Sequence, residues 1–392
     1  MSKLRFLTSG ESHGPALTAI LEGLPAGLPL SAKDVNADLA RRQQGSGSGG
    51  RMQIERDAVQ ILGGVMAGLT TGAPLALLIP NIDHAHWQGR AVPPMTTPRP
   101  GHGDLTGAIK YGYDDLRPAL ERASARGTAA RVAVGSACRR LLAEFEVRVG
   151  GYVVELGGVK STVDGLSFED RWARAEGSDV RCPDEKAAEA MRARINAARE
   201  ARDTLGGVFE IVALGAPPGL GSAVEWDRRL GAELGAALLS IPAIKGVEIG
   251  PAFENAGRPG TQVHDAIVLD AASGQLTRPT NRSGGLEGGM TSGQPLILRA
   301  AMKPLATTLQ PQASVDLATG QPAETKYERS DVCAVPRAVV VGEAMVCFVL
   351  ARALLEKLGG DSLAELKQRW AGLRQARPDQ LKMRGTPTVF WE

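Results

Sequence analysis

The stretch GGLEGGMTSGQPLIL at residues 284–298 repeats an earlier stretch, GGVMAGLTTGAPLAL at residues 63–77. The two match as GGxxxGxTxGxPLxL at an offset of 221 residues, and both end in an apolar run typical of a buried strand. Chance similarity between two glycine-rich turns is the alternative explanation. We favour two structurally similar halves that pack around one core, and therefore predict no domain boundary between them.

The composition is that of a globular protein. Its 392 residues are 43% hydrophobic, which is enough for a large core. The 45 basic and 43 acidic residues leave a net charge of only +2, so no global field favours nucleic acid or an anionic membrane. An aromatic content of 4% is also low for binding single-stranded nucleic acid. Any anion-binding site must therefore be a local cluster.

Cysteine spacing and hydropathy indicate in which cellular compartment the protein is expected. The cysteines lie far apart without a CxxC pair, which argues against a disulfide scaffold and a zinc site. They are Cys138, Cys182, Cys333 and Cys347. No N-terminal apolar stretch has signal-peptide length, and no window has 18 uninterrupted apolar residues. We expect a cytoplasmic protein without a membrane span or a bound metal.

Strand and helix patterns are interspersed along the chain. Strands are predicted near residues 4–8, 16–24, 58–62, 74–79, 151–157, 209–214, 244–249, 264–270 and 295–302. Helices are predicted near residues 31–44, 117–145, 184–202, 227–239, 335–357 and 361–374. Because the two do not alternate strictly, the α+β class is favoured over a doubly wound sheet. We expect one domain over residues 1–380 and an exposed C-terminal tail over residues 381–392.

The helix predicted over residues 117–145 has features of a packed core helix. Gly127 and Gly135 within it indicate close packing against another element. In a continuous helix, Arg122 and Arg126 lie one turn apart and share a face.

Arginines set among glycines carry the strongest chemical signal. Arginine suits bidentate capture of carboxylate and phosphate, and glycine loops expose backbone N–H groups to the same anions. The alternative for each arginine is an ordinary surface position. The loop GSGSGG at residues 45–50 follows a helix and lacks the Lys-Ser/Thr of a Walker loop, so it is not a P-loop. The arginines concerned are Arg41, Arg42, Arg51, Arg99, Arg122, Arg126 and Arg131.

His13 and His102 lie next to glycine, in GESHG (residues 10–14) and PGHGD (residues 100–104). An imidazole is the usual proton donor to a leaving group near neutral pH. Ser12 and His13 could instead be the nucleophile and base of a hydrolase, but adjacent residues diverge and rarely work as such a pair. A flavin- or anion-binding module without catalysis is a further alternative.

A loop rich in Pro, His and Arg is predicted over residues 80–104. Loops of this length are usually functional or disordered. His84 and His86 within it could bind a metal, but no third ligand has matching spacing, so a surface position is favoured.

Eight segments resemble the signature blocks of the chorismate synthase family, and they follow the family's order from end to end. They are GESHG (10–14), RRQQGSGSGGRMQIERD (41–57), RPGHGD (99–104), ERASARGTAARVA (121–133), IKGVEIG (244–250), NRSGGLEGGMTSGQPL (281–296), AAMKPLATT (300–308) and RSDVCAVPRA (329–338). Several blocks are long and specific, which makes accidental similarity a poor explanation.

The resemblance implies an α+β fold of the β-α-β sandwich type, a homotetramer, and FMN in its reduced form. The implied enzyme is a carbon–oxygen lyase of the shikimate pathway. It would remove phosphate and a C6 hydrogen from 5-enolpyruvylshikimate 3-phosphate by anti 1,4-elimination, giving chorismate without net redox change. NADPH or an external flavin reductase would supply the reductant.

The resemblance also implies roles for individual residues. His13 would protonate the departing phosphate, His102 would protonate reduced flavin, and Asp331 would assist proton removal through the flavin. Substrate contacts would come from Ser12, Arg42, Arg51, Arg131 and Arg337. FMN contacts would come from Arg122, Ala123, Ser124, Pro242, Ala243, Gly288, Lys303, Pro304, Leu305, Ala306, Thr307 and Arg329. NADP contacts would come from Arg42 and Ser48.

Three positions depart from the family's usual pattern. Ser46 and Ser48 stand where many members carry an aromatic and a basic residue, which weakens the NADP contact implied at Ser48. Pro242 replaces a more common polar residue, so only a backbone contact with flavin is expected there.

Overall fold

Two antiparallel sheets enclose a layer of helices. The computed structural model describes residues 4–48, 56–326, 328, 330–388 and 390, so Arg51 and Arg329 lie outside the described residues. The strands are β1 (Arg5–Ser9), β2 (Ala16–Glu22), β3 (Gln60–Gly63), β4 (Val65–Met66), β5 (Leu69–Thr70), β6 (Leu75–Pro80), β7 (Arg148–Leu156), β8 (Val159–Lys160), β9 (Gly207–Leu214), β10 (Ile244–Ile249), β11 (Val268–Asp270), β12 (Gln275–Thr277), β13 (Leu286–Glu287), β14 (Met290–Thr291), β15 (Leu296–Met302), β16 (Ala313–Asp316) and β17 (Gln321–Glu324).

The helices are α1 (Ala32–Gln43), α2 (Asp104–Tyr111), α3 (Arg117–Ala123), α4 (Thr128–Ala143), α5 (Phe168–Glu176), α6 (Glu185–Glu200), α7 (Leu230–Leu239), α8 (Ala252–Ala256), α9 (Gly260–Val263), α10 (Val335–Leu358) and α11 (Leu363–Ala371). Short 3₁₀ turns occur at Ile82–His86, Ala125–Gly127 and Trp226–Arg228.

The two larger sheets have the same topology. The first has the order β1-β2-β6-β3, and the second has the order β7-β9-β15-β10 with β8 added beside β7. All neighbours in both are antiparallel. In each half the four shared strands come in the same chain order, with a helix between the second and third and a small hairpin before the fourth, and a long core helix, α4 or α10, comes later. The first half adds α2 and α3 before α4. The second half adds β8, α5 and α6 after its first strand, α8, α9 and β11–β12 before its small hairpin, and β16–β17 before α10. The prediction of two similar halves is confirmed.

The repeated sequence forms equivalent structures in the two halves. The hairpins β4–β5 and β13–β14 turn through Ala67-Gly68 and Gly288-Gly289, which all have positive φ angles of 50° to 88°. Two consecutive positive φ angles define the type I′ turn that suits a two-residue hairpin. The strand that follows each hairpin, β6 or β15, enters the centre of its sheet.

A buried threonine anchors each hairpin in the same way. The Thr70 hydroxyl donates to the carbonyl of Pro25 at 2.5 Å, and the Thr291 hydroxyl donates to the carbonyl of Pro217 at 2.6 Å. Each hydroxyl also accepts a bond from the backbone N–H three residues beyond its proline. The threonine of the motif GGxxxGxTxGxPLxL therefore ties the hairpin to the turn that follows the equivalent strand of its half, β2 or β9.

Helices α4 and α10 pack against each other and form the middle of the core, between the two sheets. Gly135 faces Ala344 so closely that a Cβ at this glycine would lie 2.3 Å from the Ala344 Cβ. The prediction of close packing is thus confirmed for Gly135 but wrong for Gly127, whose Cβ would meet no atom within 4 Å. Helix α10 is long and apolar enough to cross a membrane, but 89% of its most apolar window is buried inside this fold, as expected of a core helix.

The single helix predicted over residues 117–145 is wrong. Ser124 has extended backbone angles (φ −63°, ψ 141°) and separates α3 from the 3₁₀ turn that precedes α4. Its hydroxyl accepts a hydrogen bond from the Arg126 N–H, an alternative that serine offers the backbone in place of helix. Arg122 and Arg126 consequently do not share a helix face, since Arg122 is exposed and Arg126 is buried.

Helices α2, α5, α8 and α9 lie outside the helices predicted from the sequence. Ser167 caps α5 by accepting from the Asp170 N–H at 3.1 Å, a short-range signal that the sequence does contain. Residues 382–388 are exposed, and the domain boundary at residue 380 stays a prediction.

Candidate functional site

Both halves of the chain line one cavity of about 380 Å³. The 80–104 segment, the start of α4, the start of α10 and the segments that follow α7 and β15 all reach it. The predicted site residues that it brings together are Ser12, His13, Arg42, His102, Ala123, Ser124, Pro242, Ala243, Lys303, Leu305, Ala306, Thr307, Asp331 and Arg337.

His13 lies in the turn between β1 and β2. Gly10 makes this turn possible, because it has φ 109° and a Cβ there would lie 2.3 Å from the Ala16 carbonyl oxygen. The His13 Nδ1 contacts Glu121 Oε1 at 2.6 Å, and the His13 backbone N–H donates to Glu121 Oε2 at 2.8 Å. The Trp87 ring packs on the imidazole with its centroid 4.4 Å away. A carboxylate only accepts hydrogen bonds, so Nδ1 carries a hydrogen and Nε2 is the nitrogen left for a ligand.

His84 contacts the turn that carries His13. Its Nδ1 contacts the backbone carbonyl oxygen of His13 at 2.9 Å, which requires Nδ1–H and helps to hold the turn. Among the described residues, no group of three or more His, Cys, Asp or Glu side chains is placed to hold a metal ion.

His102 contacts a carboxylate in the same manner. Its Nδ1 lies 2.6 Å from Asp104 Oδ1, and the buried Arg99 donates to both oxygens of the same carboxylate, at 2.8 and 3.0 Å. Burial opposes ionisation of Asp104, but the hydrogen bonds from His102 and Arg99 outweigh it and hold the pKa of Asp104 well below its usual range. Asp104 therefore stays ionised. Arg99 Nη2 also lies 3.0 Å from His102 Nδ1, but the 2.6 Å contact with the carboxylate is shorter and favours hydrogen on Nδ1.

A buried carboxylate arranges two arginines of the cavity wall. Arg126 Nη1 donates to Asp57 Oδ1 at 2.5 Å, and Arg42 Nη1 donates to Asp57 Oδ2 at 3.3 Å. Arg42 is also fixed by Thr128, whose hydroxyl accepts from Nε at 3.0 Å. Because Asp57 holds both guanidinium groups, their positions are set before any ligand binds.

A second cationic group lies at the start of α10. Arg337 forms an ion pair with Asp331, and both side chains line the cavity. Burial and the nearby Arg42 lower the pKa of the Arg337 guanidinium. The grouping of the buried Arg42 and the partly buried Arg337 is favourable for a ligand with several negative charges.

Small residues form another part of the cavity wall. Ala123, Ala243 and Ala306 line it, and Ala243 has φ 68°, a left-handed conformation that alanine rarely adopts. The Ala243 carbonyl accepts the Lys303 N–H at 3.0 Å, so this turn fixes the segment that begins with Lys303. Burial and the neighbouring Lys245 lower the pKa of Lys303.

Hydroxyl groups connect this wall to the histidine-bearing segments. Ser124 donates to the Ser12 hydroxyl at 3.1 Å, next to His13. Thr307 accepts from Arg99 Nη1 at 2.9 Å, next to His102.

Several predicted site residues lie elsewhere. Arg122 is exposed and donates to backbone carbonyls of the first strand and turn, and Arg131 donates to the Ser240 carbonyl at 2.9 Å. Gly288 is in the turn of the β13–β14 hairpin, where it corresponds to Ala67 of the first half. The Ser48 hydroxyl donates within its own loop, to the Gly45 carbonyl at 2.8 Å. Pro304 does not line the cavity, although its neighbours in sequence do.

Sequence reasoning missed the acidic residues behind the cationic and imidazole groups. Asp104 could have been suspected from its position two residues after His102 in PGHGD. Glu121 and Asp57 lie within recognised blocks, but 108 and 69 residues separate them from His13 and Arg126. No local pattern pairs residues over such distances.

A β-α-β sandwich with arginines, lysine and two carboxylate-bound histidines around one cavity defines an enzyme that binds an anionic ligand and transfers protons. The family model described as chorismate synthase matches residues 4–355. Two similar proteins are the chorismate synthases of Pelobacter propionicus, 53% identical over 94% of this chain and 98% of that protein, and Desulforamulus reducens, 55% identical over 93% and 97%. A crystal structure of chorismate synthase superposes with a TM-score of 0.77 at 43% identity, covering 94% of this chain and 96% of that one.

The chain belongs to the chorismate synthase family. The family consists of carbon–oxygen lyases of the shikimate pathway that use reduced FMN. The comparisons therefore favour a lyase over the Ser/His hydrolase and over a binding module without catalysis. They also confirm the α+β sandwich expected from the sequence.

Proposed function

We propose that this cavity converts 5-enolpyruvylshikimate 3-phosphate to chorismate and inorganic phosphate, with FMN bound in reduced form. The observation that carries the proposal is the cavity that joins His13 and His102 to Arg42, Arg337 and Asp331. The substrate has two carboxylates and a phosphate, which match the clustered guanidinium groups. Its reaction needs a proton for the leaving phosphate and a base for the ring hydrogen.

The cavity fits a flavin nucleotide. The small residues Ala123, Ala243 and Ala306 leave room along this part of the wall, and Lys303 lines the cavity with them and supplies a positive charge. Gly101 keeps this surface open, because a Cβ there would lie 3.6 Å from the Lys303 Nζ and 3.7 Å from the Ala306 Cβ. Backbone strain at Ala243 is of the kind found at ligand sites. Reduced FMN, when bound, supplies electron density that eases the departure of phosphate.

The wider set of FMN contacts implied by the family includes residues outside this cavity. We propose that Arg122, Gly288, Pro304 and Arg329 contact FMN only where a bound nucleotide extends beyond the cavity or reaches another subunit. Ser124, Pro242, Leu305 and Thr307 line the cavity and contact FMN directly.

His13 donates the proton that the leaving phosphate requires. Its Nδ1–H is engaged by Glu121, so the proton is given from Nε2. Protonation of a leaving oxygen contributes about 10²- to 10⁴-fold to rate. Ser12, beside His13, binds the substrate through its hydroxyl and forms no acyl intermediate.

His102 holds a proton at Nε2 next to the flavin position, since its Nδ1–H is bound to Asp104. Asp331 assists the removal of the C6 hydrogen. The substrate's anionic groups are held by Arg42 and Arg337, whose guanidinium groups already face the cavity. Arg51 and Arg131 complete the set of substrate contacts.

The test is an anaerobic assay of phosphate release. Enzyme with reduced FMN and 5-enolpyruvylshikimate 3-phosphate should release phosphate and form chorismate, whereas oxidised FMN should support no reaction. Folded enzyme that releases no phosphate with reduced FMN would refute the proposal. The His13→Ala variant should bind substrate and FMN yet turn over at least about 10²-fold more slowly.

The source of reducing equivalents is tested in the same assay. We propose NADP contacts at Arg42 and Ser48, which predict activity with NADPH and oxidised FMN in the absence of other proteins. If NADPH and oxidised FMN support activity only after a flavin reductase is added, the external reductase, and not this enzyme, reduces the FMN. Light scattering tests the homotetramer, and the four free, buried cysteines are consistent with the proposed cytoplasmic location.

A further inference from the structure

We infer that Glu121 is a positioning residue for His13, fixing which ring nitrogen delivers the proton. The inference deepens the proposed function and rests on His13 being the proton donor. Glu121 binds the same residue twice, accepting from the backbone N–H at 2.8 Å and contacting the ring Nδ1 at 2.6 Å. A single carboxylate thereby fixes both the position of the His13 backbone and the rotation of its ring.

The surroundings of this pair leave the imidazole little freedom. The side chains of His13 and Glu121 are only 19% and 13% exposed. Trp87 covers the imidazole with its ring centroid at 4.4 Å, and its own Nε1 donates to the buried Asp83 at 3.3 Å. The His13 carbonyl accepts from His84 on the far side of the turn. The ring can therefore neither flip nor swing without breaking several contacts.

The consequence is chemical as well as geometric. An imidazole with Nδ1–H bound to a carboxylate must hold any further proton at Nε2. After the proton is given to phosphate, the ring returns to the Nδ1–H tautomer, which Glu121 stabilises. Without Glu121, the neutral ring can take the other tautomer, and its Nε2 then carries a hydrogen even when the ring is uncharged. Losing this control should slow the proton transfer while leaving substrate and FMN binding largely intact.

The same arrangement recurs at His102, where Asp104 binds Nδ1 at 2.6 Å. The two dyads differ in one respect, since Arg99 donates to both oxygens of Asp104. Glu121 instead directs its second oxygen to the backbone of His13 itself. Both Glu121 oxygens therefore contact His13, one at the backbone and one at the ring. The structure thus assigns Glu121 the task of positioning His13, in addition to balancing the charge of its imidazolium form.

The first test compares turnover in single and double variants. Glu121→Gln keeps the size of the side chain but removes the carboxylate, and it should lower kcat at least about 10-fold with less than about 3-fold change in KM and in the Kd of FMN. In a His13→Ala background the same change should lower kcat less than about 2-fold. Glu121 acts by orienting His13, so its replacement has little left to disturb once the imidazole is absent. Equal losses in the two backgrounds would show that Glu121 acts independently of His13 and overturn the inference.

The second test needs no turnover. Enzyme labelled with ¹⁵N-histidine contains five imidazoles, and the His13→Ala spectrum identifies the one of interest. At a pH where the ring is neutral, wild-type His13 should show hydrogen on Nδ1, and Glu121→Gln should shift it toward Nε2. A wild-type ring with hydrogen on Nε2 would contradict the inference even if the variant does not fold.

Glu22→Gln is the matched control. Glu22 pairs with Arg5 at 2.6 Å on the exposed side of the first sheet, so its replacement should change neither kcat nor the His13 spectrum. The outcomes also separate this inference from the proposed function. A wild-type enzyme without phosphate release refutes the function, whereas an active enzyme insensitive to Glu121→Gln refutes only the role of Glu121.

Discussion

Replacing Gly135 and Gly127 by alanine, one at a time, should have opposite effects on stability. A Cβ at Gly135 would lie 2.3 Å from the Cβ, 2.4 Å from the Cα and 2.6 Å from the carbonyl oxygen of Ala344. Two of these atoms belong to the backbone of α10, so no side-chain rotation can relieve the contact and the two core helices must separate. A Cβ at Gly127 would meet nothing within 4 Å, and φ −57° and ψ −19° suit any residue there.

The magnitudes follow from these contacts. Overpacking a core costs about 1–3 kcal/mol, and contact with backbone puts Gly135→Ala near the upper end, at roughly 3 kcal/mol. Alanine is favoured over glycine within a helix by about 1 kcal/mol, which leaves a net loss of roughly 2 kcal/mol. Gly127→Ala lowers the conformational entropy of the unfolded chain without creating a clash in the folded one. It should therefore raise the free energy of unfolding by about 0.4–1 kcal/mol.

Thermal unfolding followed by circular dichroism measures both effects. For a chain of 392 residues, with an unfolding entropy of about 2.1 cal/mol/K per residue, a loss of roughly 2 kcal/mol lowers Tm by about 2–3 °C. The proteins must be compared at equal concentration and without ligand, since association and binding also raise Tm. Gly135→Ala with wild-type stability would refute the close approach of α4 and α10. A greater loss for Gly127→Ala would refute the assignment of open space around that glycine.

Three further substitutions test the support of the site. Gly47→Ala should lower both Tm and kcat, because Gly47 has φ 88° and a Cβ there would lie 3.0 Å from Cys333, in the segment that carries Asp331. Asp57→Asn should lower the free energy of unfolding, measured in urea, by about 3–5 kcal/mol, because it leaves two buried guanidinium groups without their shared carboxylate. Asp104→Asn should flatten the acid side of the plot of stability against pH. The folded-state pKa of Asp104 is lowered, so its contribution is complete above the unfolded-state pKa of about 3.9 and is lost as the pH falls below it; unfolding measured from about pH 2 to pH 6 checks this.

Most elements of the fold could be predicted because their signals are local. Helix α1 begins after Ser31, as its cap predicts, and the Asp34 carboxylate accepts from the Ser31 N–H at 2.8 Å. Strand β10 occupies the predicted residues 244–249, and β15 follows the repeated glycine motif as expected. Apolar periodicity and caps act within a few residues, so one sequence is enough to detect them.

The unpredicted features depend on contacts between distant segments. Nothing in the helical pattern of residues 117–145 distinguishes Ser124 from the other small residues around it. In the fold its hydroxyl binds both the Arg126 N–H and, 112 residues away, the Ser12 hydroxyl. Similarly, Asp57 could be assigned a role only after the fold placed it between Arg42 and Arg126. Such pairs follow from tertiary structure, which local propensity does not encode.

The repeated halves explain why the cavity lies where it does. Helices α4 and α10 begin at Thr128 and Val335, 207 residues apart, and the same offset aligns RASARGTAARVAVG (122–135) with RSDVCAVPRAVVVG (329–342). At this offset Ser124 is the sequence equivalent of Asp331, and both residues line the cavity.

The loops that follow β6 and β15 meet in the same place, because each leaves the equivalent strand of its sheet. The cavity therefore lies between corresponding ends of two similar units, and the two units have diverged in what they contribute. The first supplies His13 and His102 with the carboxylates that orient them, whereas the second supplies Asp331, Arg337 and Lys303. The proposed proton donors thus come from one half and the proposed base from the other. The long helices of the halves touch at Gly135 and Ala344, and both begin at the cavity, with Thr128 and Arg337. A change in helix separation would therefore alter the distance between these two parts of the cavity wall, which links the packing of the core to the site.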